Sequence, residues 1–294
     1  MSLLGMDRSY EQSTPRSQRV GGRFVLVVLC LALVACIGLS ACAQEKADTQ
    51  PKLEYKTELM DEGTLKVLVS PDYPPFADGS ASDAWGYDIA VAQELADRLD
   101  LSLELVATPR DAIVSTLACE PLANTSAEEP PDPQGDIAIA ALAITGERDE
   151  KVDFSDWYYV GDQAVVTRTG AYQSTTEFDT DKTRIAVVKG STCVDTAKTL
   201  TGEELVVEYS TARKCLQALK AKEVQAALLD LPIASYLLDH EFKGMRILEY
   251  LMTGEAYGIA LPTQSAHLKD AINEALAEMD EDGTLERLED EYLR

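Results

Sequence analysis

Catalytic residue types are thin in this 294-residue chain, which has two histidines, two tryptophans and five phenylalanines. His240 and His267 both sit beside charged residues. No Gly-x-Ser-x-Gly elbow, His-Glu-x-x-His pair or Gly-x-x-x-x-Gly-Lys loop occurs. The usual signatures of serine hydrolases, zinc proteases and P-loop nucleotide hydrolases are therefore missing. Basic residues are scarce too: 26 Lys and Arg stand against 51 Asp and Glu, a net charge of −25. Such a surface repels nucleic acid and anionic lipid, so a nucleic-acid partner is not expected. What is present is a normal globular composition, 46% hydrophobic and 26% charged, in a length sufficient for two domains.

The basic residues are unevenly placed. Four arginines (8, 16, 19 and 23) precede FVLVVLCLALVACIGL at 24–39, sixteen uncharged and mostly apolar residues. That run is shorter than the ~20 residues a spanning helix prefers, and it ends in small residues as a signal peptide does. Leu39-Ser40-Ala41-Cys42 resembles the lipobox of bacterial lipoproteins, which implies lipidation at Cys42 and a folded part outside the cytoplasm. Leu33-Val34-Ala35-Cys36 fits loosely, but cleavage there cuts the apolar segment in half. An uncleaved membrane anchor is the alternative. Without residues 1–41 the chain carries 22 basic and 49 acidic residues, or −27.

Beyond the signal, Cys119, Cys193 and Cys215 remain. An oxidising compartment permits a disulfide, and Cys193 with Cys215 is the expected pair, closing a loop at about 3 kcal/mol of stabilisation. Two cysteines at that spacing without a second pair make a poor zinc site, so neither a metal nor a cofactor is expected.

Residues 42–62 are polar and lack sustained periodicity, as a lipid anchor and tether do. Then LKVLVS (65–70) reads as a strand closed by the proline-stiffened PDYPPF. A helical pattern follows from Asp88, a strand at LSLELVA (101–107), and a helix near Asp111. This β-α-β-α alternation predicts an α/β fold with a parallel sheet covered on both faces. The proline- and glutamate-rich 119–134 reads as an exposed insertion. DIAIAALA (136–143) is apolar on both alternations and reads as a central strand buried on both faces. A second alternating unit runs from TRIAVVKG through ELVVEYS to VQAALLDLP. The chain ends in an amphipathic helical stretch broken at Asp282-Gly283.

In open α/β sheets ligands sit beyond the carboxyl ends of the strands. The loops there are PDYPPF (71–76), TPRD (108–111), TGER (145–148), KGST (189–192) and LDLP (229–232). They offer aromatics, cations, backbone amides, hydroxyls and an acid. That set suits a small zwitterion: an arginine forks a carboxylate and an aspartate holds an ammonium.

Residues 63–293 resemble the extracellular solute-binding proteins, family 3, of polar amino-acid ABC transporters. The motifs in order are GTLKVLVSPDYPPF, WGYDIAVAQELADRL, DIAIAALAITGERDEKVDFSDWYY, KGST before a helix, VQAALLDLP, YGIALP and DGTLERLEDEYL. The resemblance implies a type II periplasmic-binding-protein fold, two α/β lobes joined by two crossover strands near 161–167 and 255–259. Lobe one is expected at 63–162 and 255–294, lobe two at 163–254.

By the same likeness Arg148 binds the ligand α-carboxylate and Asp230 its α-ammonium. The backbone at Ala141 and Ala143 serves the same zwitterion, Gly190 and Thr192 donate to the carboxylate, and Tyr73 stacks over the ligand. Trp85, Trp157 and Tyr158 are expected to pack. Three departures bear on the ligand. Ala143 lacks the hydroxyl common in the family, a loss of ~1 kcal/mol of hydrogen bonding. Arg110 replaces an apolar or aromatic residue, and is expected either to meet an acidic ligand side chain or to turn outward to the insertion. Ser70 stands where relatives with cationic or amide ligands often carry an acid.

The implied function is a lipid-anchored binding component that delivers a polar amino acid, with acidic ones among the candidates, to a membrane permease. It is expected to be a monomer, and not an enzyme. A dehydratase acting on prephenate-like compounds, and a sensor or adhesin, are the alternatives on the same fold.

Overall fold

The computed structural model describes residues 51–80, 83–119 and 134–294. The signal segment, both lipidation candidates and nearly all of the 119–134 insertion lie outside the described residues. Among the described residues no helix is long and apolar enough to cross a membrane.

Among the described residues eight strands, numbered along the chain, form one mixed sheet in the order β2-β1-β3-β8-β4-β7-β5-β6. β1 (Thr64–Val69) lies between β2 (Ser102–Ala107) and β3 (Ile137–Ala138), parallel to both. β5 (Ile185–Val188) lies likewise between β6 (Val206–Tyr209) and β7 (Ala226–Asp230). The two parallel groups are joined through long antiparallel strands, β4 (Asp153–Arg168) and β8 (Met245–Leu261). This is the type II periplasmic-binding-protein fold: two α/β lobes connected by two crossover strands. Their pairing shifts register between Phe154 and Trp157, between Trp157 and Tyr159, and again between Gly161↔Glu255 and Gln163↔Leu251, where residues 252–254 have no partner in the ladder.

The helices follow from the strand order. In the first lobe α1 (Tyr87–Arg98) leads from β1 out to β2, and α2 (Ile113–Leu117) returns past β1 to β3. Right-handed connections running in opposite directions place their helices on opposite faces. Accordingly Val91 and Leu95 of α1 pack in one core cluster, while Ile113 and Leu117 of α2 pack in another. α3 (Gly146–Asp149) is a single turn. The second lobe repeats the logic with α4 (Cys193–Leu200) and α5 (Ala212–Ala221), followed by α6 (Leu231–His240). α7 (Ala266–Glu281) and α8 (Thr284–Tyr292) return to the first lobe, where α8 packs against α1 and α7. Gly283, with φ +78°, makes the turn between them.

The same topology overturns the expected disulfide. Cys193 and Cys215 are both free and buried. Cys193 opens α4 and packs with Val165, Ile185 and Val187, whereas Cys215 in α5 packs with Ala186, Val188 and Leu229 on the other side of the sheet. Chain spacing brings the two cysteines close, but the reversal of direction at β6 separates them.

Two further expectations change. Residues 54–62 are docked rather than a tether: the Tyr55 hydroxyl donates to Leu99 O at 2.8 Å, and the Glu58 carboxylate accepts from Leu268 N at 2.8 Å at the start of α7. The central strand is also shorter than 136–143. Its side chains do alternate, Ile137, Ile139 and Ala141 into one cluster and Ala138, Ala140 and Leu142 into another. The strand nevertheless covers Ile137–Ala138 alone; the backbone turns at Ala141, φ +47°, and pairing returns only as an isolated bridge from Ala143 to Tyr257.

Candidate functional site

In each lobe the chain leaves the middle strand in one direction and comes back past it, so each lobe has a switch point where a crevice opens beyond the strand ends. In the first lobe this lies between the ends of β1 and β3, in the second between β5 and β7. The segments leaving β1, β3 and β5 carry Tyr73, Arg148, and Gly190 with Thr192, Asp230 is the last residue of β7, and the segment after β2 carries Arg110. The two crevices face each other.

Local structure sets the first-lobe wall. The loop after β1 folds on itself, with Tyr73 N donating to Ala77 O at 2.8 Å, and is fixed to α1 by Tyr87 N on Pro75 O and Asp88 N on Phe76 O, both 2.9 Å. Gly86 permits this approach, since a Cβ there would stand 2.2 Å from Phe76 O. Beneath, Phe76, Tyr159 and Tyr257 form a ring cluster with centroids 5.5–5.8 Å apart, each pair contributing about 0.5–1.5 kcal/mol beyond its burial. Thr145 caps α3, its hydroxyl accepting from Arg148 N at 3.4 Å. This directs the Arg148 side chain across the crevice, where Nη1 donates to Ala143 O at 2.6 Å and Nη2 to Gly190 O of the other lobe at 2.8 Å.

Arg110 turns inward, not toward the insertion. It is 7% exposed, its Cζ lies 4.2 Å over the Tyr73 ring, and its two terminal nitrogens donate to Ala140 O and, at 3.0 Å, Ala141 O. Its Nε is buried with no partner. Burial lowers the Arg110 pKa, but Tyr73, Asp230, Tyr257 and Asp88 around it more than offset this, so it lies above its ordinary value. Burial and then the neighbouring Arg110 bring Arg148 down to about 10, still a cation at neutral pH.

The second-lobe wall is built from β5, β7 and α4. Gly190 has φ +76°, and a Cβ on it would stand 3.0 Å from Asp111 Cα in the first lobe, so glycine is what lets the walls meet. Asp230 is 2% exposed at the end of β7. The Tyr73 hydroxyl donates to its Oδ2, and the Cys193 thiol reaches its Oδ1 at 3.6 Å. Burial, and next the charge of Asp230, hold that thiol well above its ordinary pKa, hence protonated and able to donate. Thr192 points elsewhere: its hydroxyl donates to Glu255 Oε2 at 3.0 Å and accepts from Gln163 Nε2 at 3.2 Å. Gln163 also donates to Glu255 Oε1 at 3.0 Å. Burial raises Glu255, and its partners Thr192, Gln163 and Arg148 pull it back.

The structure thus gathers Tyr73, Arg110, Ala141, Ala143, Arg148, Gly190 and Asp230 about one crevice, with Thr192 at its edge. A cleft of about 480 Å³ opens beside Arg110, Arg148, Gly190 and Thr192, while Tyr73 and Asp230 lie behind it, in contact with each other. Sequence reasoning missed Glu255, Gln163 and Cys193 as neighbours of the site. A lone acid on a crossover strand carries no signal, and the cysteine was assigned to a disulfide. Trp157 is 60% exposed and Trp85 packs against Tyr236 across the lobes at 5.7 Å, whereas Tyr158 is buried and bonded to Asp88. Among the described residues no group of three or more His, Cys, Asp or Glu is placed to hold a metal.

Comparison with known proteins agrees with this architecture. The chain is 28% identical over 244 residues to the histidine-binding periplasmic protein of Escherichia coli strain K12, covering 78% of this chain and 87% of that one. Its fold matches an ancestral arginine-binding protein bound to arginine with a TM-score of 0.68 and 28% identity, over 79% of this chain and 99% of that chain. It also matches an ancestral amino-acid-binding protein, a precursor of cyclohexadienyl dehydratase, with a TM-score of 0.70 and 26% identity, over 81% and 99%. Residues 127–294 match the family model of the bacterial extracellular solute-binding proteins, family 3, and the chain belongs to that family.

Proposed function

We propose that this chain captures a polar L-amino acid between its lobes, with an acidic side chain preferred, and delivers it to an ABC-transporter permease. One observation carries the reading: a buried carboxylate on the second lobe, Asp230, and two arginines on the first, Arg148 and Arg110, converge on one crevice. Arg148 binds the ligand α-carboxylate in place of the Ala143 and Gly190 carbonyls, to which it now donates. Asp230 takes the α-ammonium, for which Tyr73 and Cys193 yield or share its oxygens. Each charge-assisted contact contributes ~1.5–3 kcal/mol. Thr192 serves through its backbone and through Glu255, its hydroxyl being committed there.

Arg110 supports the acidic preference. Its terminal nitrogens are satisfied by carbonyls, its Nε is not, and Ser70, buried at the end of β1, brings no negative charge for a cationic side chain. The ligand docks first on the lobe that carries Arg148, at 63–162 with 255–294; closure then adds the 163–254 lobe. Cys42 at the end of a 1–41 signal peptide holds the protein at the outer face of the membrane as a monomer. The protein binds rather than transforms its ligand, although one fold relative is a precursor of a dehydratase.

A thermal-shift screen of the purified protein against all amino acids tests this. An amino acid at a hundred times its dissociation constant adds ~2.7 kcal/mol of stability and a visible rise in melting temperature. The expected response is largest for glutamate or aspartate. Silence toward every amino acid, or response only to prephenate-like compounds, would overturn it.

A further inference from the structure

Asp88 is the second residue of α1 and fully buried, far along the chain from either arginine. Its Oδ1 accepts from the Tyr158 hydroxyl at 2.7 Å, and its Oδ2 makes no hydrogen bond. The same Tyr158 oxygen accepts from Ala141 N at 3.2 Å, and Tyr158 is itself held by Tyr87, whose hydroxyl donates to Tyr158 O at 3.0 Å. Ala141 is the residue in the left-handed region, at φ +47°, a conformation that costs a non-glycine residue about 1–3 kcal/mol unless its surroundings impose it. The consequence of that turn is visible on the other side of the peptide: Ala140 O and Ala141 O both face Arg110 and bind its terminal nitrogens. Arg110 in turn lies over Tyr73, whose hydroxyl is on Asp230. A continuous series of contacts therefore runs from a buried acid behind the strand to the carboxylate in the crevice.

We propose that Asp88 and Tyr158 are positioning residues of the binding site: together they impose the left-handed turn at Ala141 that aims two carbonyls at Arg110, and so set the guanidinium in the crevice. Neither residue reaches the crevice, so each acts through Ala141. Asp88 also supplies a negative charge facing a buried cation. The groups facing Asp88 are Tyr158 from β4, the Ala141 amide and Arg110, with Tyr87 beside it on α1. Burial pushes Asp88 up to about 7, and Tyr158, the Ala141 amide and Arg110 pull it back. The folded pKa is above the unfolded value of about 3.9, so stability linked to this proton is complete at low pH and is lost as pH rises toward and through 7.

Two arms test the proposal. The first needs no ligand: urea midpoints of the full chain are measured at pH 8 and pH 5 for Asp88→Asn, Arg110→Gln and the double variant, with the same cycle for Tyr158→Phe. At pH 8 the double variants should lose markedly less than the sum of the single losses, because removing either end already disorders the other. For Asp88 this coupling should shrink at pH 5, where the carboxyl is protonated, and Asp88→Asn should gain on the wild type as pH rises. Additive losses at both pH values would overturn the proposal, reducing both residues to core packing. Tyr158→Phe, which removes one oxygen, keeps the test open if Asp88→Asn folds poorly.

The second arm rests on the acidic-ligand reading above and titrates L-glutamate and L-glutamine. Tyr158→Phe should lower the affinity for glutamate about tenfold and for glutamine much less. If the wild type binds neither probe, the ligand reading fails and the coupling cycle alone decides this inference. If the wild type prefers glutamate and Tyr158→Phe keeps that preference, the positioning role is wrong.

Discussion

Two arginines bridge the lobes by different chemistry, one at the crevice and one at its rim. At the crevice Arg148 crosses to a single backbone carbonyl, that of Gly190. At the rim Arg213, on α5, binds Asp72 and Asp78 of the first lobe and Glu241 of its own, with Nη2 at 2.7 Å from both Asp78 Oδ2 and Glu241 Oε1. The rim arginine is saturated by three carboxylates, the crevice arginine by two neutral carbonyls that an anion can replace. The difference separates two tasks. A saturated ion cluster stabilises the closed arrangement and recognises nothing further, whereas Arg148 has charge left to offer a ligand. A second rim pair, Lys189 with Asp111 at 2.7 Å, spans the lobes near Gly190.

Breaking the crevice side should have the largest effect. Arg148→Ala removes the cation proposed to fork the ligand α-carboxylate in the crevice, and amino-acid affinity should fall at least a hundredfold by calorimetry, with the melting temperature of the free protein little changed. Survival of binding within a few-fold would move recognition elsewhere. Next comes Arg213→Ala, which leaves Asp72, Asp78 and Glu241 facing one another without a cation. The closed form should lose about 1–2 kcal/mol, read as a larger radius of gyration in solution scattering and a roughly tenfold weaker affinity. Because this cluster is partly exposed, raising salt should weaken the wild type toward the variant; equal salt dependence of the two would deny the latch.

Gly190→Ala sharpens the comparison further. It adds a Cβ at φ +76° and 3.0 Å from Asp111 Cα, so about 1 kcal/mol of strain falls on the contact between walls. Affinity should fall several-fold, mainly through faster dissociation in stopped-flow. Unchanged dissociation would mean the walls do not meet in the bound form. Lys189→Ala, at an exposed pair, should change affinity by less than about 1 kcal/mol.

How much of this was legible in the chain depends on whether the signal was local. The mostly apolar runs at 65–69 and 226–230 are strands because they are too short for a buried helix, and the burial of both faces of 136–143 followed from its composition. The early end of that strand did not follow. It depends on Ala141 meeting Tyr158 and Arg110, which are separated from it along the chain and converge only in the folded sheet. The mistaken Cys193–Cys215 pair has the same origin: face assignment needs the strand order β7-β5-β6, and the sequence of elements alone does not reveal that the chain doubles back. Arg148 drew notice because a buried run ends in TGER at a strand's carboxyl end, but its role in binding a carboxylate came from the family resemblance. Arg213 was not, since a lysine-flanked arginine on an amphipathic helix looks like any solvated cation until Asp72 and Asp78 are brought beside it.

The central claim is that Arg148 and Asp230 together read the zwitterion common to amino acids. Calorimetric titration of the wild type with L-glutamate and with glutarate, which keeps both carboxylates but lacks the α-ammonium, tests it directly. Glutamate should bind, and glutarate should be weaker by roughly 10- to 100-fold, the worth of one charge-assisted contact to Asp230. Equal affinity for the two, or tight binding of arginine with glutamate silent, would contradict the account.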